Sequence, residues 1–300
     1  MEDFKGKIDW IELVTHYRCN CSCKVCPTAR ISSSGSLSLE EIGNWLQMGK
    51  KLGASGVWFG GGEPTMHDSL AKSVEWSKRL GYKKILIQTN GLRLAYPAYA
   101  ERLIKAGINM VNLSMKGADA RTHDDMTRVQ GSFELMKMAA KNLYLNNIHL
   151  GADILVTSKS VVQLKSMTEL ASELGATSVT VMLVSLHGLD KEKDINWLPT
   201  SELLAEHMQI AMDKAVELGI EITSLHVPPC LLAKRHRNKY FHAGLYRLLV
   251  IAPGQSPFLA ETSPTEGGSY LDICDNCSER QKCLGFTSEY LTMNHELAPI

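Results

Sequence analysis

The stretch Lys51-Leu-Gly53-Ala-Ser-Gly-Val57-Trp-Phe59-Gly-Gly-Gly-Glu-Pro64 holds the pattern that decides the fold. A helix stops at a glycine, a residue that tolerates the left-handed cap conformation. A short apolar run follows as a strand, and a glycine-rich turn ends it. The same junction recurs at Arg79-Leu-Gly81, Lys105-Ala-Gly107, Leu145-Asn-Asn147, Glu173-Leu-Gly175 and Glu217-Leu-Gly219. The strands read as Trp10–Thr15, Val57–Phe59, Lys84–Thr89, Met110–Ser114, Gly151–Thr157 and Val179–Val184. Helix starts are legible too. Ser38-Leu-Glu-Glu41 and Ser160-Val-Val-Gln163 have capping-box spacing, Asp68 and Ser132 suit N-caps, and Pro97 suits a first turn.

Strand alternating with helix six times predicts a parallel sheet with helices outside. Six units fall short of the eight that close a full barrel. The expectation is an α/β fold, a partial (β/α)6 TIM-type barrel, with a doubly wound open sheet as the alternative. Either places ligands at the C-terminal strand ends. After Gly219 the pattern changes. Ile220–Ser224 reads as one more strand, and Tyr246–Ala252 as one arm of a hairpin. From His226 onward the chain is loop-rich, with Pro228-Pro229, Pro253-Gly254 and Pro264-Thr-Glu-Gly-Gly268. A boundary near 225 divides a barrel core, 1–225, from a small metal-binding extension, 226–300. A weak core there is expected if bound metal supplies folding energy.

The 300 residues are 44% apolar, which excludes global disorder. Lys plus Arg equals Asp plus Glu at 32 each, so charge offers no argument for nucleic acid or an anionic membrane. The charged N-terminus has no apolar run of signal-peptide type behind it, and no 18-residue apolar stretch suggests a membrane span. The eight cysteines are clustered. Four lie from Cys19 to Cys26, one is Cys230, three lie from Cys274 to Cys283, and the 203 residues between Cys26 and Cys230 have none. That argues against a disulfide scaffold and for metal binding in a reducing cytoplasm.

Cys19, Cys23 and Cys26 have the spacing C-x3-C-x2-C in the loop after the first strand. Three thiolates so close suit an iron–sulfur cluster or a soft metal. Structural zinc wants four ligands, and Cys21 or His16 would be the fourth. Both stay open on spacing alone.

This loop, together with Gly60-Gly-Gly-Glu-Pro64, Thr89-Asn-Gly91, and Asn112-Leu-Ser-Met-Lys-Gly117 followed by His123-Asp124, Arg128 and Gly131-Ser-Phe133, resembles the radical S-adenosylmethionine (radical SAM) superfamily. The resemblance spans roughly residues 8–185, with four motifs in register on successive strands. It implies a [4Fe–4S] cluster on Cys19, Cys23 and Cys26, with one iron open to chelate S-adenosylmethionine. Reductive cleavage would give a 5′-deoxyadenosyl radical that abstracts hydrogen from a substrate carbon. Gly60, Gly61 and Gly62 would let backbone carbonyls approach the methionine ammonium. Glu63 would support that loop or the ammonium, while Asn90 and Ser114 would bind the ribose or carboxylate. Lys116 stands where the family pattern has Asp. By strand alternation it shares a face with Asn112 and Ser114, and would pair the S-adenosylmethionine carboxylate or an anionic substrate group. Cys21 reads as a bystander.

Cys274-x2-Cys277-x5-Cys283 resembles the start of the C-x2-C-x5-C-x3-C core of SPASM and Twitch extensions, with Thr287 where the last cysteine would be. The resemblance implies a second, auxiliary [4Fe–4S] cluster. Cys230 is open to three readings: fourth ligand, bystander beside a three-cysteine site with an open iron, or hydrogen donor to a substrate radical. Four cysteines would also satisfy zinc. Weaker features are the basic run Lys234-Arg-His-Arg-Asn-Lys239, which reads as a substrate anion site or a solvated face, and His187, Asp190 and Asp153 as substrate contacts.

The expected activity is radical chemistry on a small polar metabolite: dehydrogenation, epimerisation or decarboxylation. About nine residues before the first strand leave no room for a leader-binding module. Maturation of a ribosomal peptide is the second expectation, and a non-catalytic electron carrier the third. An external reductant such as flavodoxin or ferredoxin would supply electrons.

Overall fold

The computed structural model describes residues 6–26, 35–186, 194–263 and 266–293. Seven parallel strands run in chain order: β1 (Trp10–Val14), β2 (Gly56–Gly60), β3 (Lys84–Thr89), β4 (Met110–Met115), β5 (His149–Val156), β6 (Ser178–Leu183) and β7 (Glu221–Leu225). Neighbours in space are neighbours in sequence, which removes the doubly wound alternative, because that topology needs a reversal of strand order. Among the described residues the helices between strands are α1 (Leu39–Lys51), α2 (Leu70–Arg79), α3 (Pro97–Ala106), α4 (Ala120–Thr127), α5 (Ser132–Leu145), α6 (Leu164–Glu173) and α7 (Ser201–Leu218). A short α8 (Ser288–Met293) lies in the tail.

Both sheet edges continue into the tail. β8 (Tyr240–Phe241) pairs parallel with β7, and β9 (Leu248–Ile251) pairs parallel with β1. β10 (Phe258–Leu259) pairs antiparallel with β9, so the expected hairpin exists. The sheet has ten strands and does not close, since β10 and β8 end it. It is a partial barrel.

The local signals mostly act as expected. Gly53, Gly81, Gly107, Asn147, Gly175 and Gly219, one at each helix-to-strand junction, all have positive φ. Ser38 and Glu41 form the full capping box, and Pro97 opens α3. Three start signals are reassigned. The Ser160 hydroxyl accepts from Thr157 N–H at 2.9 Å and donates to the Leu155 carbonyl, so no capping box forms there. Gly131 caps α5, while Ser132 donates from the first turn to Asp124 at 2.9 Å. Ser69 rather than Asp68 precedes α2.

Alternation along the strands divides the core. Ile11, Leu13, Val57, Phe59, Ile85 and Ile87 point outward under the helices and are fully buried. Trp10, Glu12, Trp58, Leu86 and Gln88 point into the lumen.

Candidate functional site

The cysteine loop leaves β1 and is strapped on both sides by backbone hydrogen bonds. On one side Gly62 N–H donates to His16 O at 2.8 Å and Glu63 N–H to Arg18 O at 2.9 Å. On the other, Ser22 N–H donates to Thr127 O at 3.1 Å and Lys24 N–H to Met126 O at 2.9 Å, at the end of α4. Lys24 also pairs with Asp125. The glycines owe their identity to this packing. A Cβ on Gly62 would sit 2.2 Å from Arg18 O, and one on Gly61 2.5 Å from His16 O. Gly61 also has φ +114. The space a side chain would occupy at Gly61 and Gly62 is thus filled by the cysteine loop itself.

Glu63 is 1% exposed and ties two loops together. Oε1 accepts from Thr65 N–H at 3.0 Å, the Thr65 hydroxyl at 2.5 Å and the Thr89 hydroxyl at 2.6 Å. Oε2 accepts from Asn90 N–H at 2.8 Å. Burial raises its pKa, while these donors favour the charged form. Glu63 therefore holds the loop. Thr65 and Thr89 complete its shell, and Thr65 was not singled out by the sequence.

Asn90 reaches the cysteine loop. Its Nδ2 donates to Asn20 Oδ1 at 2.8 Å and lies 3.4 Å from Cys21 Sγ and 3.7 Å from Cys19 Sγ. Cys21 sits between Cys19 and Cys23. Its thiol hydrogen bond lowers the pKa of Cys19, and brings Cys23 down to about 6, aided by the Lys116 charge. The bystander thus touches both its neighbours. His16, the other residue weighed as a fourth zinc ligand, is fully buried and stacks on His67 with centroids 5.6 Å apart.

Lys116 follows β4 and is half-buried. Its charge bears on Cys23, on Asp153 and on His123, whose pKa is lowered to about 4 by burial first and Lys116 second. Ser114 pairs in register with Asp153 on β5. Asp153 is 2% exposed and accepts from Gln88 Nε2 at 2.5 Å and Asn112 Nδ2 at 3.0 Å. Burial pushes it up to about 6. Its side chain lines the lumen.

The tail cysteines meet Cys230. Cys230, Cys274, Cys277 and Cys283 line one cavity, about 460 Å³ with the solvent in its mouth, with Tyr270, Ile273 and Phe286. Burial pushes the Cys230 thiol up to about 12, and the three other cysteines add to the shift. Gly285 N–H donates to Cys283 Sγ at 3.2 Å. Tyr270 hydroxyl donates to Cys283 O at 3.1 Å, and the Arg280 guanidinium lies 3.6 Å from the Tyr270 ring centroid. Among the described residues no three His, Cys, Asp or Glu side chains converge as they would on a single ion.

One weaker expectation changes. In the basic run, Arg235 donates to Asp213 at 2.9 and 2.5 Å and His236 lies 2.8 Å from the same carboxylate. Those two side chains pin the run to α7, so they are not free for a substrate anion. His187 and Asp190 lie outside the described residues. No helix among the described residues is long and apolar enough to cross a membrane.

Comparison with known proteins agrees with this geometry. Residues 13–159 match the Radical SAM superfamily. The chain is 28% identical over 271 residues to a probable GTP 3′,8-cyclase of Sulfurisphaera tokodaii, covering 85% of this chain and 82% of that protein. It is 27% identical over 178 residues to the AdoMet-dependent heme synthase of Methanosarcina barkeri, covering 59% of this chain and half of that protein. The structure of Streptococcus suis SuiB bound to its precursor peptide SuiA superposes with a TM-score of 0.66 at 15% identity, covering 96% of this chain and 73% of SuiB. At that identity the likeness is one of fold. Residues 13–159 are thus a radical SAM domain, and the chain belongs to the radical SAM superfamily, whose members use a [4Fe–4S] cluster and S-adenosylmethionine.

Proposed function

We propose that this radical SAM enzyme abstracts hydrogen from a C–H bond of a small polar metabolite, with a second [4Fe–4S] cluster at the far site. The observation that carries the reading is the gathering of Cys230, which is distant in sequence, with Cys274, Cys277 and Cys283 around one cavity. Four cysteines on one cavity supply the four thiolates that a closed [4Fe–4S] cluster takes. Four ligands would leave that cluster closed, fit to relay an electron or to hold the tail. This reading makes Cys230 a ligand rather than a hydrogen donor. It also makes 226–300 a Twitch-like extension that lends strands to the core sheet.

At the near site Cys19, Cys23 and Cys26 would hold the catalytic cluster. The lowered thiol pKa values of Cys19 and Cys23 favour the thiolates that iron requires. When bound, cluster and S-adenosylmethionine together supply the organic radical. The protein's own part is positional. Glu63 fixes the Gly60–Glu63 turn and the Asn90 backbone, and Asn90 orients the cysteine loop. Ser114 and Lys116 offer a hydroxyl and an ammonium for the carboxylate of S-adenosylmethionine, beside Cys23. The compartment is the reducing cytoplasm, and a flavodoxin or ferredoxin is the electron donor.

Anaerobic reconstitution tests the reading. About eight irons per chain are expected, and about four irons plus one zinc would reject the second cluster. With dithionite, S-adenosylmethionine should yield 5′-deoxyadenosine. No release from a loaded protein would reject the radical mechanism.

A further inference from the structure

The barrel lumen contains a carboxylate that nothing in the fold answers. The cavity, about 1520 Å³ with the solvent in its mouth, is lined by Trp10, Trp58, Phe241, Tyr246 and Phe258 together with Glu12, Asp153 and Glu266. Glu221, exposed at the N-terminal end of β7, is a fourth acid on its lining, and of the other three two have partners. Asp153 accepts from Gln88 and Asn112. Glu266 lies 3.3 Å from His226 Nε2 and accepts from Ala243 N–H at 3.1 Å. Among the described residues no hydrogen bond or ion pair reaches Glu12, and the charge that bears on its carboxyl is another anion, Glu266. The indole nitrogen of Trp58 is also buried without a partner. The two groups flank one spot. A Cβ on Gly60 would lie 2.9 Å from Glu12 Oε1 and 3.3 Å from Trp58 Nε1.

Glu12 is half-buried, and a carboxylate drawn out of bulk water without a donor or cation is disfavoured in its charged form. Burial first, and Glu266 second, push the Glu12 carboxyl up to about 7. Lys84 is no answer to it, because its ammonium lies over the Trp10 ring, 5.7 Å from the centroid, and the residue is exposed at the N-terminal end of β3. Lys116 stands at the opposite, cysteine-loop end. Aromatic faces around an unanswered carboxylate favour a cation, since ring quadrupoles and the carboxylate attract it together. The same lining opposes a polyanion such as the triphosphate of GTP, the nucleotide in the name of the Sulfurisphaera relative.

We propose that the lumen binds an organic cation, an ammonium- or guanidinium-bearing molecule, with Glu12 as its counter-charge and the ring of Trp58 as a wall. That this ligand is the substrate rests on the radical enzyme reading above. The binding site does not.

The experiment is calorimetry on the metal-loaded protein with three probes: cyclohexylmethylammonium, its neutral isostere cyclohexylmethanol, and GTP. The ammonium should bind at least about tenfold more tightly than the alcohol, and more tightly than GTP. Glu12→Gln should bring the two isosteres within about twofold of each other. Should that variant fail to fold, Trp58→Leu serves instead and should weaken the ammonium about threefold while leaving the alcohol unchanged. Equal affinity of the isosteres for the native protein, tighter GTP binding, or a preference that survives Glu12→Gln overturns the proposal. No turnover is measured, so the two readings fail separately. A protein that prefers the ammonium but releases no 5′-deoxyadenosine defeats the enzyme reading and keeps the site.

Discussion

The two cysteine sites are built in opposite ways. The near loop takes three cysteines from eight consecutive residues and is laced by backbone hydrogen bonds to the Gly60–Glu63 turn and to α4. The far site joins Cys230 to a segment more than forty residues later, in a tail of short helical turns and strands of two to four residues. The first is tied to the barrel by backbone hydrogen bonds that involve no metal. The second has little regular structure of its own, so a bound cluster would contribute much of its order. Protein-held and metal-held sites should respond differently to the same damage.

The largest expected contrast is in the ligands. Cys26→Ala should abolish 5′-deoxyadenosine release and cost about four irons, with the tail still protected from protease. Cys277→Ala or Cys230→Ala should cost the other four irons and expose the tail to proteolysis, while S-adenosylmethionine cleavage persists uncoupled from turnover. Full iron content in Cys230→Ala, with diverted product, would make Cys230 the hydrogen donor instead.

Chelation sharpens the same contrast. Stripping iron should open the tail amides to hydrogen exchange within minutes and leave the strands β1 to β4 slow, because only the tail loses its cross-link. Uniform opening would show that the near loop, too, depends on metal.

Next comes packing. Gly62→Ala drives a methyl group against Arg18 O and should cost about 1–3 kcal/mol, with weaker iron retention at the near site only. A melting curve and iron assay together check it.

The smallest effect concerns the lumen. The folded-state pKa of Glu12 is raised, to about 7 from 4.5. Its protonated form is the one the fold accepts, so stability is lost as pH rises between those values. Glu12→Gln should therefore melt close to the native protein at pH 5, and by pH 8 be more stable by about 1–3 kcal/mol. An advantage that does not grow with pH would show that the carboxylate is well solvated.

Much of this was legible. Gly53, Gly81, Gly107, Asn147, Gly175 and Gly219 mark the junctions because backbone conformation there is set locally. The cysteine spacing and the Gly60–Pro64 and Thr89–Gly91 turns are likewise local. Ser160-Val-Val-Gln163 misled because Leu155 and Thr157 took the serine hydroxyl into a different loop. The glycine turn was found, but its reason was not. Nothing in Gly61 or Gly62 says that the opposing surface is the backbone of residues 16–18.

The sequence by itself determined the alternation of helix and strand, the near cysteine loop and the membership of the radical SAM superfamily, because each rests on residues close along the chain. Tertiary structure alone decided that tail strands extend both edges of the sheet, that Cys230 meets Cys274, Cys277 and Cys283, and that Glu12 faces an aromatic lumen unanswered. Those facts depend on which distant strands lie side by side. A parallel sheet brings together residues tens of positions apart, and no local pattern records which of them will share a cavity.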